Sequence, residues 1–407
     1  GIESACEKEL RGVPGELTIT IDSEGNVTEE ITKNPIRGNT VMLTIDKDLQ
    51  RVAQDKLKES CDEVSLTKGA GAVVVQHTKT GEILASASYP TFNLQDYYDN
   101  YEKLAKNKRN PMWNRFALGT YAPGSTFKPM MACAALEEGA INEDSVFRCT
   151  GTFHYYDLTL RCLYQTAHGS ENVRLALKDS CNIFFYNCAD ELGITKINEY
   201  GKMFGLGEKT GVEIPEAAGT FASPAVAEQL GRAWQMGDTI QAGIGQSYHL
   251  FTPLQLANYC ATIANNGTRY ESHFVKAIIN SSNHSVDETG ITVVEDLPIS
   301  DKTFTAVKEG MRLVATKQGI RFVFNKIKTP VACKTGTSQV WIDGKKENNG
   351  FLVTFAPYKN PEIAIASVVE LAGSGTETAE ITSAIIDYYY SNNTDKTPAQ
   401  EAGSLLD

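Results

Sequence analysis

Apolar and polar residues alternate along residues 16–22, with Leu17, Ile19 and Ile21 on one face, which is the period of a strand. Turn signals at Gly12, Pro14-Gly15 and Gly25-Asn26 surround it. A short strand is predicted over 41–45, and Leu49, Val52, Ala53 and Leu57 then recur at helical spacing within 46–58. Residues 70–89 read as a hairpin, with strands 72–76 and 82–88 about a turn at Lys79-Thr80-Gly81. A helical middle is predicted from about 126 to 264, broken at Gly139, Gly151, Gly193, Gly205, Gly207 and Pro253. Strands return around Cys333, over 351–356 and over 362–370, before a helix over 379–390 and a polar tail. Strands at both ends around a helical middle predict an α/β domain: one sheet closed by the two ends of the chain, with an all-helical subdomain beside it.

Composition adds limits. The 407 residues are 42% hydrophobic and 22% charged, which excludes a disordered or fibrous chain. A formal charge of -12 argues against nucleic acid as the main partner. No run reaches the roughly 18 apolar residues of a membrane helix, and no signal-peptide pattern opens the chain. Gly1-Ile2-Glu3-Ser4 reads as an interior boundary, so any anchor is expected upstream of it. Nine cysteines are an odd number in a chain long enough to build a core without staples, so no disulfide framework is required.

Three short motifs mark a class of serine acyl-transfer enzymes: S-x-x-K, then Ser-x-Asn, then K-T-G. Each occurs here more than once, and context selects. Ser65 with Lys68 lies among acidic residues with no helix following, whereas Ser125 with Lys128 follows Pro123-Gly124 and opens an apolar helical run. That placement predicts Ser125 at a helix N-terminus, with Lys128 one turn on and on the same face. Ser180-Cys181-Asn182 precedes the buried-looking Ile183-Phe184-Phe185-Tyr186, while the pairs at Ser281 and Ser391 sit in polar stretches. Lys334-Thr335-Gly336-Thr337 lies along an extended segment, where Gly336 admits close approach of a ligand backbone. Lys79 and Lys209 begin K-T-G triplets in turns.

With these motifs the chain resembles the transpeptidase domain of class B, monofunctional penicillin-binding proteins. Further stretches fit the family: Gly71 to Val75, Gly81 to Ala85, Asn114-Arg115, Phe204 to Gly211, Gly243 to Gln246, Thr252-Pro253 and Phe355-Ala356-Pro357. The resemblance implies a penicillin-binding/β-lactamase-like transpeptidase fold over residues 39–392, with 1–38 as the end of an N-terminal pedestal domain and 393–407 as a polar tail. It implies a peptidoglycan D,D-transpeptidase inhibited by β-lactams, with Ser125 as nucleophile, Lys128 as base and Ser180 as proton relay. Asn182 would then hold Lys128 and a substrate amide, and Lys334, Thr335 and Thr337 the terminal carboxylate. A second cation at Lys334 is one way to lower the pKa of Lys128. The backbone N–H groups of Ser125 and Thr337 would form the oxyanion hole. No cofactor is required for this chemistry. The implied partners are stem peptides on lipid-linked precursor strands, β-lactams and a glycosyltransferase of the wall-synthesis complex, at the extracytoplasmic face of the bacterial membrane. The alternatives are a serine β-lactamase, a D,D-carboxypeptidase, or a sensor that binds β-lactam or stem peptide without turnover. Cys333 departs from the family, which has a very small residue there, and reads as a buried space-filler.

Cys149, His154, Asp157, Cys162 and His168 fall within twenty residues, in a segment read as one hairpin opening at Gly151. Three states are open for Cys149 and Cys162: two buried thiols, a disulfide, or a structural Zn²⁺ site completed by His168 and Asp157 or His154.

Overall fold

The computed structural model describes residues 1–64, 68–162, 166–317, 319–342 and 344–392. Ser65 and the tail expected at 393–407 therefore lie outside the described residues.

The central sheet has five strands: β1 (Gly71–His77), β2 (Ile83–Tyr89), β3 (Ala332–Ile342), β4 (Lys345–Ala356) and β5 (Ile363–Val369). They run in the order β3-β4-β5-β1-β2, every neighbouring pair antiparallel. Two strands come from residues 71–89 and three from 332–369, so the ends of the domain do close one sheet. The apolar runs of β1 and β5 show no polar alternation because both faces of the sheet are covered. Ala72, Val74, Val353 and Ala366 face one core, shared with α2 (Lys128–Glu137), α3 (Asn182–Met203) and α4 (Pro253–Ala264). Val73, Val75, Cys333, Leu352 and Ile365 face a second core, shared with α1 (Lys47–Val64) and α6 (Ala379–Asn392). Between them in sequence, α5 (Asp301–Ala315) contributes Phe304 and Met311 to the first core and Val314 to the second.

Three elements differ from the sequence expectation. The helix α5 went unread, although Ser300 caps it by accepting a hydrogen bond from Thr303 N at 3.3 Å. The strand Val27–Lys33 pairs with Glu16–Ile21, and its Thr-Glu-Glu composition hid it. The segment around Cys149 is not one hairpin: Phe147–Cys149 pairs with Gly169–Glu171, and only 152–161 closes on itself.

Candidate active site

Ser125 sits in a 3-10 turn, Gly124–Phe127, and the α-helix begins at Lys128 rather than at the serine. The turn is clamped from several sides. Gly124 N donates to Gly245 O at 2.8 Å, and Tyr259 donates its hydroxyl to Thr126 O at 3.1 Å while accepting from Met130 N at 3.0 Å. A Cβ on Gly336 would lie 2.8 Å from both Pro123 O and Thr126 Cγ2. Gly336 is thus needed first for the nucleophile turn to pack on β3. An ion pair outside the cleft supports the same loop: Glu370 accepts from Arg115 Nε at 3.0 Å and from the Tyr121 hydroxyl at 2.9 Å.

Lys128 is fully buried, and its Nζ donates to Ser180 O at 2.8 Å, Ser180 Oγ at 3.3 Å and Asn182 Oδ1 at 2.7 Å. Lys334, also fully buried, donates to the same Ser180 Oγ at 2.9 Å and to Thr335 O at 3.0 Å. Ser180 Oγ therefore accepts from two lysine Nζ atoms, which leaves its own O–H as the donor toward the cleft. Ser180 is held in the left-handed region (φ 56°, ψ 39°) at the end of the helix Val173–Asp179, and that turn aims both its oxygens at Lys128. Asn182 opens α3, whose Phe184, Phe185 and Tyr186 are buried as their apolar run required.

Burial pushes the Lys128 ammonium down to about 8, against which the nearby Cys181 and Cys162 sulfurs act. Burial is the leading cause, in place of the Lys334 charge expected from the sequence. Lys334 is itself held well below the usual lysine range, by burial first and Lys128 second. Cys333 is fully buried on the second core, and burial raises its thiol to about 12. It is an inert packing residue.

Ser125, Ser180, Asn182, Thr335 and Thr337 line one cleft of about 420 Å³. Gln246 reaches across it, donating from Nε2 to Thr337 O at 3.2 Å. The penicillin-binding protein transpeptidase domain model matches residues 71–387. The chain belongs to this family. It is 33% identical to the peptidoglycan D,D-transpeptidase MrdA of Acinetobacter baumannii, over 96% of this chain and 60% of that protein's length. A chain from a peptidoglycan synthase complex superposes with a TM-score of 0.86 at 27% identity, covering all of this chain and 71% of the other. The Helicobacter pylori PBP2 bound to MreC gives 0.79 at 26%, covering 96% and 72%. The penicillin-binding/β-lactamase-like fold is thereby established.

Beside the cleft of this transpeptidase domain lies the cysteine cluster. Cys149, Cys162, His168 and Cys181 place one ligand atom each within 4.8 Å of one another. His168 Nδ1 is 3.6 Å from Cys149 Sγ and 3.5 Å from Cys162 Sγ, and Cys162 Sγ is 3.9 Å from Cys181 Sγ. Asp157, a candidate ligand from sequence, sits at the tip of the 152–161 hairpin, and His154 Nδ1 lies 3.3 Å from Thr159 Oγ1 along that hairpin. The fourth corner is Cys181, which the sequence reading passed over as the middle residue of Ser180-Cys181-Asn182. Its signal was available in the 13-6-13 spacing of Cys149, Cys162, His168 and Cys181. All nine cysteines are free and buried in this structure. Asn182 N donates to Cys162 Sγ at 3.3 Å, tying the cluster to the active-site turn. The hydrogen bond to Cys181 pushes the Cys162 thiol down, aided by the N–H groups of Ile183 and Asn182.

Proposed function

We propose that the chain is a peptidoglycan D,D-transpeptidase working through a serine acyl-enzyme on Ser125. The observation that carries this is Ser180 Oγ, bonded at once by Lys128 (3.3 Å) and Lys334 (2.9 Å) beside Ser125 in one cleft. Neutral Lys128 takes the proton of Ser125 as Oγ bonds to the carbonyl carbon between two terminal D-alanines. Asn182 holds that amine, and burial makes the neutral form accessible near neutral pH. The N–H groups of Ser125 and Thr337 receive the developing oxyanion. As the C–N bond breaks, Ser180 passes a proton to the departing D-alanine amine and is reprotonated from Lys128. Lys334, Thr335 and Thr337 hold the terminal carboxylate. An acceptor amine then attacks the ester and restores Ser125, leaving a cross-link. A β-lactam acylates the same oxygen and stays. The domain would span residues 39–392, with 1–38 belonging to a pedestal. The working protein would be anchored on the extracytoplasmic face beside a glycan polymerase, in keeping with the synthase-complex and MreC-bound relatives.

A structural Zn²⁺ fits Cys149, Cys162, His168 and Cys181. Zinc–sulfur bonds of about 2.3 Å in a tetrahedron set ligand atoms about 3.8 Å apart, close to the 3.5, 3.6 and 3.9 Å found. Four protein ligands close the site, so the ion would stiffen the Ser180 turn and take no part in acyl transfer.

A stem-pentapeptide donor with an acceptor amine tests the main reading. One D-alanine released per peptide dimer is expected. D-alanine without dimer would instead mark a carboxypeptidase, and rapid turnover of penicillin a β-lactamase.

A further inference from the structure

The chain carries a net charge of -12, yet its cleft is lined by two exposed cations, Arg161 and Lys346, and, among the described residues, by no carboxylate. Neither cation forms an ion pair among the described residues. They stand on opposite walls. Arg161 ends the strand Leu158–Arg161 beside the active-site turn, its carbonyl accepting from Asn182 Nδ2 at 3.5 Å and from the Tyr186 hydroxyl at 3.4 Å. Lys346 lies on β4 opposite Trp341 of β3, in a register that also pairs Thr337 with Gly350 and Gln339 with Asn348. Lys346 lines the cleft together with Thr335, Thr337 and Gln339, at the outer end of that row.

Geometry limits how a peptide can lie here, on the reading that its terminal carboxylate is held by Lys334 and Thr335. Toward the start of β3, Val331, Ala332 and Cys333 are 1%, 0% and 0% exposed, so no ligand runs that way. Toward its end Gln339 is exposed and Trp341 is 73% exposed. The body of an extended ligand must follow β3 from Thr337 toward Trp341. Four residues of strand separate those two positions, about 14 Å at roughly 3.4 Å each. An extended peptide crosses that distance in about four residues, and a lysine reaching back shortens it to about three.

We propose that Arg161 and Lys346 form a subsite for a second carboxylate of the donor peptide, about three residues ahead of the scissile bond. This assigns the donor class within the function proposed above: a peptide acidic at that position, in preference to one whose side-chain carboxylate is amidated. Attraction between solvent-exposed charges is modest and screened by salt, so the preference belongs to KM and fades as salt rises.

The test uses two synthetic acyl-D-alanyl thioester donors that differ only in a free or an amidated carboxylate at the third residue before the scissile bond. Intact mass follows acylation of Ser125 in the wild type and in the Arg161→Gln/Lys346→Gln double variant. For the wild type, the free acid should be favoured roughly three- to tenfold in kcat/KM, through KM, at low salt. That ratio should fall toward one at high salt, and should be near one in the double variant at any salt. No preference in the wild type, or an undiminished one in the double variant, overturns the subsite. Should the double variant fold poorly, the salt dependence of the wild-type ratio decides alone: a ratio unchanged by salt overturns the subsite. Penicillin G on the wild type separates the two levels. Acylation by penicillin with no acid preference removes the subsite only, whereas failure of penicillin and both donors removes the transpeptidase reading itself.

Discussion

The two walls of the cleft are held by different means. The wall on β3 is fixed by a backbone ladder, with eleven register pairs to β4 and Gly336 packed on the nucleophile turn. The wall carrying Ser180 and Asn182 is a turn between two helices, with Ser180 in a left-handed conformation and Asn182 N bonded to the sulfur of Cys162. A ladder is made of groups every residue carries, so it tolerates changes in side chain. The Ser180 turn has backbone bonds of its own, from Ser180 N to Leu177 O and from Cys181 N to Ala176 O, but its ties to the rest of the site run through the side chains of Lys128, Lys334 and Cys162. Sensitivity to mutation should therefore be concentrated on the helical wall, and so should any effect of metal.

The largest effect is expected at Ser180. Ser180→Ala removes the hydroxyl shared by Lys128 and Lys334 and should slow acylation of Ser125 by about 10²- to 10⁴-fold with the fold intact, measured by stopped-flow with a chromogenic β-lactam. A loss under tenfold would make Ser180 a bystander.

Next is Cys162→Ser, which removes both a cluster ligand and the acceptor for Asn182 N. A drop in Tm of roughly 5 °C or more is expected, with loss of bound zinc by elemental analysis and slower acylation. Unchanged Tm and zinc content would remove the metal and leave buried thiols.

The pH profile bears on the same wall. Lys128 must be neutral to accept a proton and is pushed down to about 8 by burial. The acylation rate should thus rise with pH and reach half its plateau near pH 8, well below the ordinary lysine value of about 10.4. A flat profile from pH 6 to 9 would assign the base elsewhere.

Cys333→Ala, on the ladder wall, should matter least. It removes a buried sulfur facing the second core and should cost about 1 kcal/mol of stability, read by denaturant titration, with acylation within about twofold of wild type.

Legibility in the sequence followed the same division. The sheet was readable because β1 and β5 are continuous apolar runs and because Lys334-Thr335-Gly336-Thr337 sits in an extended stretch. The order of Ser125, Ser180 and Lys334 named residues that the structure brings together, Ser125 and Ser180 lining the cleft and buried Lys334 bonded to Ser180 Oγ beneath it. What escaped were relations across the chain. Pairing of Phe147–Cys149 with Gly169–Glu171 is a long-range register that no local pattern announces. It brings His168 beside Cys149 and leaves Asp157 at a hairpin tip. Cys181 was hidden by the stronger signal of its neighbours. The lowered pKa of Lys128 was anticipated in direction, but its main cause, complete burial, depends on packing that sequence does not display.

The central claim rests on one oxygen, and intact mass after incubation with penicillin G tests it most directly. A stable adduct on the wild type with none on Ser125→Ala is the expected result. An adduct of equal yield on both proteins, or on neither, would contradict the assignment of Ser125 as the nucleophile.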